Sequence, residues 1–375
     1  MLNDLKSFLK NIWEKEGFDK LTPIQERALP LIAEGRDVLA QSPTGSGKTL
    51  AYILPILQEV NIEEKQIQFM VLASSQELVM QLNEELQKWT ANSGISSATL
   101  IGGANIKRQL EKLKKKPQIV LGTPGRVQEL LKMKKLKVHQ VRTVVLDEGD
   151  QLLVPEHLAT VEGIIKSTPK ERQLLLFSAT LPKETEEVAT KLMTEPEVIR
   201  VHDQELDKPE VEHVYVISEA REKIESLRKI VRNNDVKALV FFRDIGNLSV
   251  IAEKLKYKGI EAAEIHSDSK KQEREKAIKN FRSGSIQLLL ATDVAARGLD
   301  ITDLECVIHM DVPKEISQYV HRSGRTGRLG SVSGKVISIV EPNEEKAIKK
   351  ISRELDIPLK RMKLVKGKMI SDHRG

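Results

Sequence analysis

The sequence predicts two tandem α/β domains with parallel sheets, joined by a short linker. Three observations carry this reading. Short apolar runs rich in Val, Ile and Leu alternate with helical stretches through both halves, the pattern of strands covered on both faces. The alternation lapses around His202 to Glu212, where charge and Pro209 gather. The length, 375 residues, suits two domains. The expected boundaries are 1–202 for the first domain, 203–211 for the linker, 212–358 for the second domain and 359–375 for a short basic tail.

In chain order, residues 4–33 read as helices parted at Gly17-Phe18. Asp37–Ala40 is a short strand. It runs into a small-residue loop ending Ser46-Gly47-Lys48-Thr49, and a helix follows. Ile67–Ala73 is a buried strand by length and branching, followed by a helix from Gln76 to Trp89. Gln118–Leu121 leads to Thr123-Pro124-Gly125-Arg126 and another helix. Val141–Leu146 ends in Asp147-Glu148-Gly149-Asp150, and Gln173–Phe177 ends in Ser178-Ala179-Thr180. In the second half the strands are Ala238–Phe242, Glu261–Ile265, Ile286–Ala291, Leu304–His309 and Lys335–Val340. In parallel sheets ligands bind beyond the carboxyl ends of strands, and the polar clusters of the first half fall there.

Composition narrows the function. Sixty basic against fifty-four acidic residues give a net charge of +6, a moderate sign of a polyanionic partner. Aromatics are only 3%. Base-stacking platforms need exposed rings, so a nucleic acid would be held by its sugar-phosphate backbone. No apolar run is long enough to span a bilayer, and the first residues lack a signal-peptide pattern. A single cysteine, Cys306, in an apolar stretch reads as a buried, inert thiol in a reducing compartment. The expected location is cytoplasmic. The basic runs Lys107–Lys116 and Lys132–Lys137 read as exposed helix faces. The tail from Leu359 reads as a solvated end, with an electrostatic RNA contact as the alternative.

Three clusters carry chemistry. Gly45 and Gly47 let backbone N–H groups turn inward at a helix start, an anion site. Lys48 would reach phosphate oxygens there, and the Thr49 hydroxyl would hold Mg²⁺. Asp147 could hold the same ion, with Glu148 polarising a water for attack on a γ-phosphate. A strand-end turn rich in acids is the plainer account of those two residues alone. In the second half, His321-Arg322-Ser323-Gly324-Arg325-Thr326-Gly327-Arg328 interleaves three arginines and a histidine with glycines. Guanidinium groups suit phosphate geometry and could act as arginine fingers.

Taken together, these residues resemble a DEAD-box ATP-dependent RNA helicase of superfamily 2, of compact bacterial type, across about residues 8–340. The resemblance implies two tandem RecA-like domains, ATP and Mg²⁺ as cofactors, RNA as partner, and a monomer. It implies that Phe18 and Gln25 lie at the adenine, with Ser46, Gly47, Lys48 and Thr49 at the phosphates. Asp300 is implied at the ribose, and Arg325 and Arg328 at the γ-phosphate. Gly103, Thr123, Pro124, Gly125, Arg126, Arg243, Arg274 and Thr292 would follow the RNA backbone. Asp150, Ser178, Thr180, His321 and Arg322 would couple the domains. Ribosomal precursors are the RNA targets that family analogy suggests.

The chain also departs from the family pattern. Gly149 stands where alanine is usual, at an expected cost of order 1 kcal/mol in backbone freedom. Ser74-Ser75-Gln76 replaces Pro-Thr-Arg, Asp244 replaces threonine, Ser267 a glycine and Lys271 a glutamine. These changes bear on RNA affinity and unwinding more than on hydrolysis. A nucleotide-gated RNA clamp with weak unwinding is therefore the competing reading, and a DNA translocase on the same core is a third.

Overall fold

The computed structural model describes residues 5–206, 209–234, 236–266, 268–296, 301, 304–327 and 333–372. They form two compact units that divide after Leu206.

The first unit is a seven-stranded, all-parallel sheet. Its strands are β1 (Val38–Gln41), β2 (Phe69–Ala73), β3 (Ser97–Leu100), β4 (Ile119–Gly122), β5 (Thr143–Asp147), β6 (Gln173–Ser178) and β7 (Glu197–Arg200), in the order β3-β4-β2-β5-β6-β1-β7. The helices are α1 (Ser7–Glu16), α2 (Pro23–Ala33), α3 (Lys48–Glu59), α4 (Gln76–Trp89), α5 (Ile106–Lys114), α6 (Pro124–Lys132), α7 (Gly149–Leu152), α8 (Pro155–Lys166) and α9 (Lys183–Leu192). Strand side chains alternate between faces with period two, so the sheet serves two cores. Phe69, Val71 and Ala73 join α1 to α4, while Met70 and Leu72 join α5 to α9.

The second unit is an eight-stranded sheet ordered β10-β11-β9-β12-β13-β8-β14-β15. Its strands are β8 (Val211–Ile217), β9 (Ala238–Phe242), β10 (Ala262–Ile265), β11 (Leu288–Thr292), β12 (Cys306–His309), β13 (Gly334–Val340), β14 (Leu359–Val365) and β15 (Lys368–Ser371). All pairings are parallel except β14 with β15. Its helices are α10 (Lys223–Asn234), α11 (Ile245–Tyr257), α12 (Lys271–Arg282), α13 (Asp293–Ala296), α14 (Ile316–Ser323) and α15 (Glu345–Glu354). Cys306 is buried in β12, and burial pushes its thiol up to about 12, consistent with an unreactive residue.

The expected strands are present, and five more appear: β3, β7, β8, β14 and β15. Two segments differ from expectation. Residues 203–206 pack with the first unit, where Glu205 pairs with Arg27 and Leu206 joins the core, and Val211 already opens β8. Residues 359–371 are a hairpin rather than a solvated tail. Here β14 pairs with β8 through four register positions, and Met362, Leu364 and Met369 pack on the core.

Candidate nucleotide and RNA sites

Strands β5, β6 and β1 are neighbours in the first sheet, with Asp147 opposite Phe177 and Gln41 opposite Ser178. Their carboxyl ends therefore bring together the loop before α3, the acids after β5 and the hydroxyls after β6. The Ser42 amide donates to the Ser178 carbonyl at 3.0 Å, which ties loop to strand.

The loop turns through Gly45 and Gly47, with φ of 75° and 91°, values costly for a side chain. At Gly47 a Cβ would also lie 2.6 Å from Gln25 Nε2. That amide donates to the Gly47 carbonyl at 3.2 Å, while Gln25 Oε1 accepts from the Thr22 amide at 3.0 Å. Buried Gln25 thus braces the loop from beneath. The Ser42 hydroxyl donates to Ser46 Oγ at 2.7 Å. Lys48 Nζ donates to the carbonyls of Ser42 and Pro43 at 2.6 and 2.7 Å, so the ammonium stays at the loop. Phe18 stacks parallel to Trp89 at 6.4 Å and tilts against Trp13 at 5.1 Å, keeping 40% of its surface exposed.

Asp147 is buried. Its Oδ2 accepts from the Tyr52 hydroxyl at 3.0 Å and its Oδ1 from the Glu148 amide at 3.1 Å. Burial, then the charge of Glu148, pushes its pKa up to about 6, while Lys48 opposes the rise. A buried carboxylate so disfavoured suits a hard divalent cation, which a hydroxyl such as that of Thr49 can share. Glu148 is non-glycine in the left-handed region, at φ 53° and ψ 52°, a conformation that surrounding structure must enforce. The Ser74 hydroxyl donates to its Oε2 at 2.7 Å. Thr180 Oγ1 donates to Asp150 Oδ2 at 2.6 Å, joining two residues expected to act in coupling. Sequence reasoning missed Tyr52 and Ser74, whose roles rest on partners far along the chain.

Gly149 has a reason that composition did not show. A Cβ there would lie 2.5 Å from Leu176 Cδ2 and 2.7 Å from Cδ1, and Leu176 is fully buried in β6. The leucine fills the space an alanine would take. Gly149→Ala, which restores the usual family residue, is therefore expected to lower stability by about 1–3 kcal/mol through overpacking. A double-mutant cycle with Leu176→Ala should show coupling, the pair being less unstable than the sum of the singles. An unchanged denaturation midpoint for Gly149→Ala would mean that Leu176 yields freely.

The second row of the first unit lies at the ends of β3 and β4, where Leu100 is opposite Gly122. Gly102 and Gly103 are thereby beside Thr123, Pro124, Gly125 and Arg126. A Cβ on either Gly102 or Gly103 would sit 3.7 Å from Gln76 Nε2, so the uncharged Gln76 borders this row. Arg126 is held 2.8 Å from Glu129.

In the second unit, Arg243 follows β9, its amide donating to Asp311 Oδ2 at 2.8 Å. Asp244 caps α11, accepting from the Asn247 amide at 2.9 Å, as a threonine could. Arg274 donates to the Ala295 carbonyl at 3.1 Å, and Thr292 is buried at the end of β11. Arg322 makes a two-pronged pair with Asp293, at 2.6 and 2.7 Å. His321 lies on the same helix, α14, and Arg325 just beyond it. Asp300, Arg328 and Ser267 lie outside the described residues.

Residues 22–188 match the DEAD/DEAH box helicase family, and residues 222–330 match the helicase conserved C-terminal domain. The chain is 50% identical over 99% of its length, and 95% of the relative's, to a protein named DEAD-box ATP-dependent RNA helicase CshC of Bacillus cereus. It is 52% identical over 98% of its length to a probable ATP-dependent RNA helicase, YfmL, of Bacillus subtilis, covering 97% of that relative. Among solved structures it resembles Dbp5 of S. cerevisiae bound to RNA and ADP BeF3. There the TM-score is 0.87 and the identity 30%, over 96% of this chain and 94% of that one.

Proposed function

The chain belongs to the DEAD-box ATP-dependent RNA helicases, and from that premise we propose that it separates short RNA duplexes by closing its two α/β domains on ATP and RNA together. The observation that carries this is the convergence of loop, acids and hydroxyls at the adjacent ends of β5, β6 and β1.

In this reading the N–H groups of the loop and Lys48 hold the phosphates. Thr49 and Asp147 would hold Mg²⁺, which when bound neutralises charge on the β- and γ-phosphate oxygens. Glu148 orients and deprotonates the attacking water. Arg325 and Arg328 supply fixed charge to the γ-phosphate, and Asp300 contacts the ribose. Gly103, Thr123 to Arg126, Arg243, Arg274 and Thr292 contact RNA backbone. Each ligand favours the closed form, so each tightens the other. Asp150, Ser178, Thr180, His321 and Arg322 relay that closure. Target selection falls to elements other than base-reading side chains. The proposed setting is cytoplasmic, as a monomer acting on ribosomal precursors. No helix among the described residues is long and apolar enough to cross a membrane.

A clamp with weak unwinding is the second reading, favoured by the uncharged Gln76 beside Gly102 and Gly103. Steady-state ATPase with and without single-stranded RNA, with Lys48→Ala alongside, tests the proposal. Strong stimulation that the variant abolishes, together with strand separation, supports it. Stimulation without strand separation favours the clamp. Absence of ATP binding removes both.

A further inference from the structure

The hairpin of β14 and β15 lies beyond the matched family regions, and the helicase chemistry leaves it without a role. Its sequence from Leu359 to Asp372 holds five basic residues and one acid. It is firmly built. Lys366 and Gly367 turn the chain with φ of 48° and 85°, the two positive values a tight two-residue hairpin demands. Arg361 is 3.1 Å from Asp372 and 3.5 Å from Glu345, and Lys360 is 3.3 Å from Glu212. One face packs on the core through Met362, Leu364 and Met369.

The opposite face is exposed. Register places Lys363 beside Ile370 and Val365 beside Lys368. Val365 and Ile370 keep 44% and 41% of their surface open. Lys366 extends this face at the turn. Among the described residues neither Lys366 nor Lys368 has an acidic partner, and Lys363 reaches Asp372 only at 3.9 Å. Lysine on an edge strand can serve to block edge pairing, but that purpose does not account for Lys363 on inner β14 or Lys366 in the turn. The edge strand β15 has four residues, too few to template an added strand well. The chemistry on offer is side-chain charge around a small apolar strip. It suits phosphates with sugars between them.

We propose that this face is a second RNA-binding surface, contacting the sugar-phosphate backbone independently of nucleotide. Because the hairpin is already ordered, binding costs little further ordering of the chain. The surface would keep the enzyme on its RNA while the core releases a strand.

The test is the triple variant Lys363→Gln/Lys366→Gln/Lys368→Gln in the full chain. An equal-charge control carries Lys191→Gln/Lys254→Gln/Lys256→Gln on exposed helix positions. Binding of a single-stranded RNA is measured without nucleotide and with a non-hydrolysable ATP analogue, over a range of salt. The hairpin variant should lose roughly tenfold in nucleotide-free affinity at low salt, and the slope of log affinity against log salt should shrink by about 2. The control should keep both. Unchanged nucleotide-free affinity overturns the proposal. A loss confined to the analogue-bound form also overturns it, since only the core answers to nucleotide. Matched polyglutamate is the second probe. If the variant loses that ligand and keeps RNA, the surface takes an acidic polypeptide and the proposal fails. Absence of analogue-dependent tightening in both proteins would count against the core reading alone, because the hairpin is read from the nucleotide-free arm.

Discussion

Glu148→Gln should bind ATP as the wild type does and hydrolyse it about 10²–10⁴-fold more slowly, the usual contribution of a positioned acid-base group. The geometry makes this a narrow change. Glu148 is fixed at φ 53° by its place at the end of β5, and its side chain is met by the Ser74 hydroxyl at 2.7 Å. Glutamine has the same length, and its amide oxygen can still accept from Ser74. Only the charge and the basicity are lost. Removing that charge also relieves Asp147, whose pKa Glu148 helps to raise. Asp147 then ionises more readily, so affinity for Mg²⁺ should hold or tighten. Slow hydrolysis with retained binding should also lengthen the life of the RNA complex. Three measurements check this: turnover at saturating ATP and RNA, affinity for a fluorescent ATP analogue, and the RNA dissociation rate. Turnover equal to wild type would remove Glu148 from its role.

The contrast between Glu148 and its supports shows what a sequence can and cannot declare. The polar clusters were legible because each is local: a strand of four to six apolar residues followed at once by polar ones. The apolar runs before them were enough to place Asp147 at one strand end and Thr180 just past another. Their partners could not be placed in that way. Tyr52 reaches Asp147, Ser74 reaches Glu148, and Leu176 fills the space above Gly149, all through strand adjacency that only the folded sheet creates. The same reasoning separates the strands found from those missed. Buried β2, β5 and β6 read clearly as apolar runs. Edge strands β3 and β7, Ser97–Leu100 and Glu197–Arg200, are short and carry polar residues, so they resemble loops. In β14, Lys360, Arg361 and Lys363 are interspersed with half-buried Leu359, Met362 and Leu364. Charge count hid a strand whose apolar face was in place. Composition thus located the basic segment correctly and misread its order.

Arg322→Ala should destabilise the second unit by about 1–3 kcal/mol, the cost of leaving hydrogen-bonding groups without their charged partner. The Arg322 side chain is 2% exposed. Its Nε and one terminal nitrogen donate to both oxygens of Asp293, and the other terminal nitrogen donates to the Asp311 carbonyl at 2.8 Å. The guanidinium also lies over the Phe241 ring, 5.2 Å from its centre. Nearby His309 is buried, and burial, with Arg322 adding to it, holds its pKa well below the usual value. An imidazole kept neutral there agrees with a fixed cation beside it. Lysine offers one ammonium and no fork, so Arg322→Lys should recover only a part of the loss. Removing both partners, as Asp293→Ala/Arg322→Ala, should cost less than the sum of the singles, because neither charge is left without its partner. Asp293 opens α13 directly after Thr292, and Arg322 lies on α14 just before Arg325. The pair therefore locks the turn after β11 to the arginine segment within one unit. That distinguishes it from a group acting directly on nucleotide. Arg322→Ala should lower both the denaturation midpoint of the second unit and RNA-stimulated turnover. Arg325→Ala should lower RNA-stimulated turnover. If Arg322→Ala keeps its midpoint and loses only turnover, Arg322 acts at the nucleotide, and Asp293 is merely where it rests.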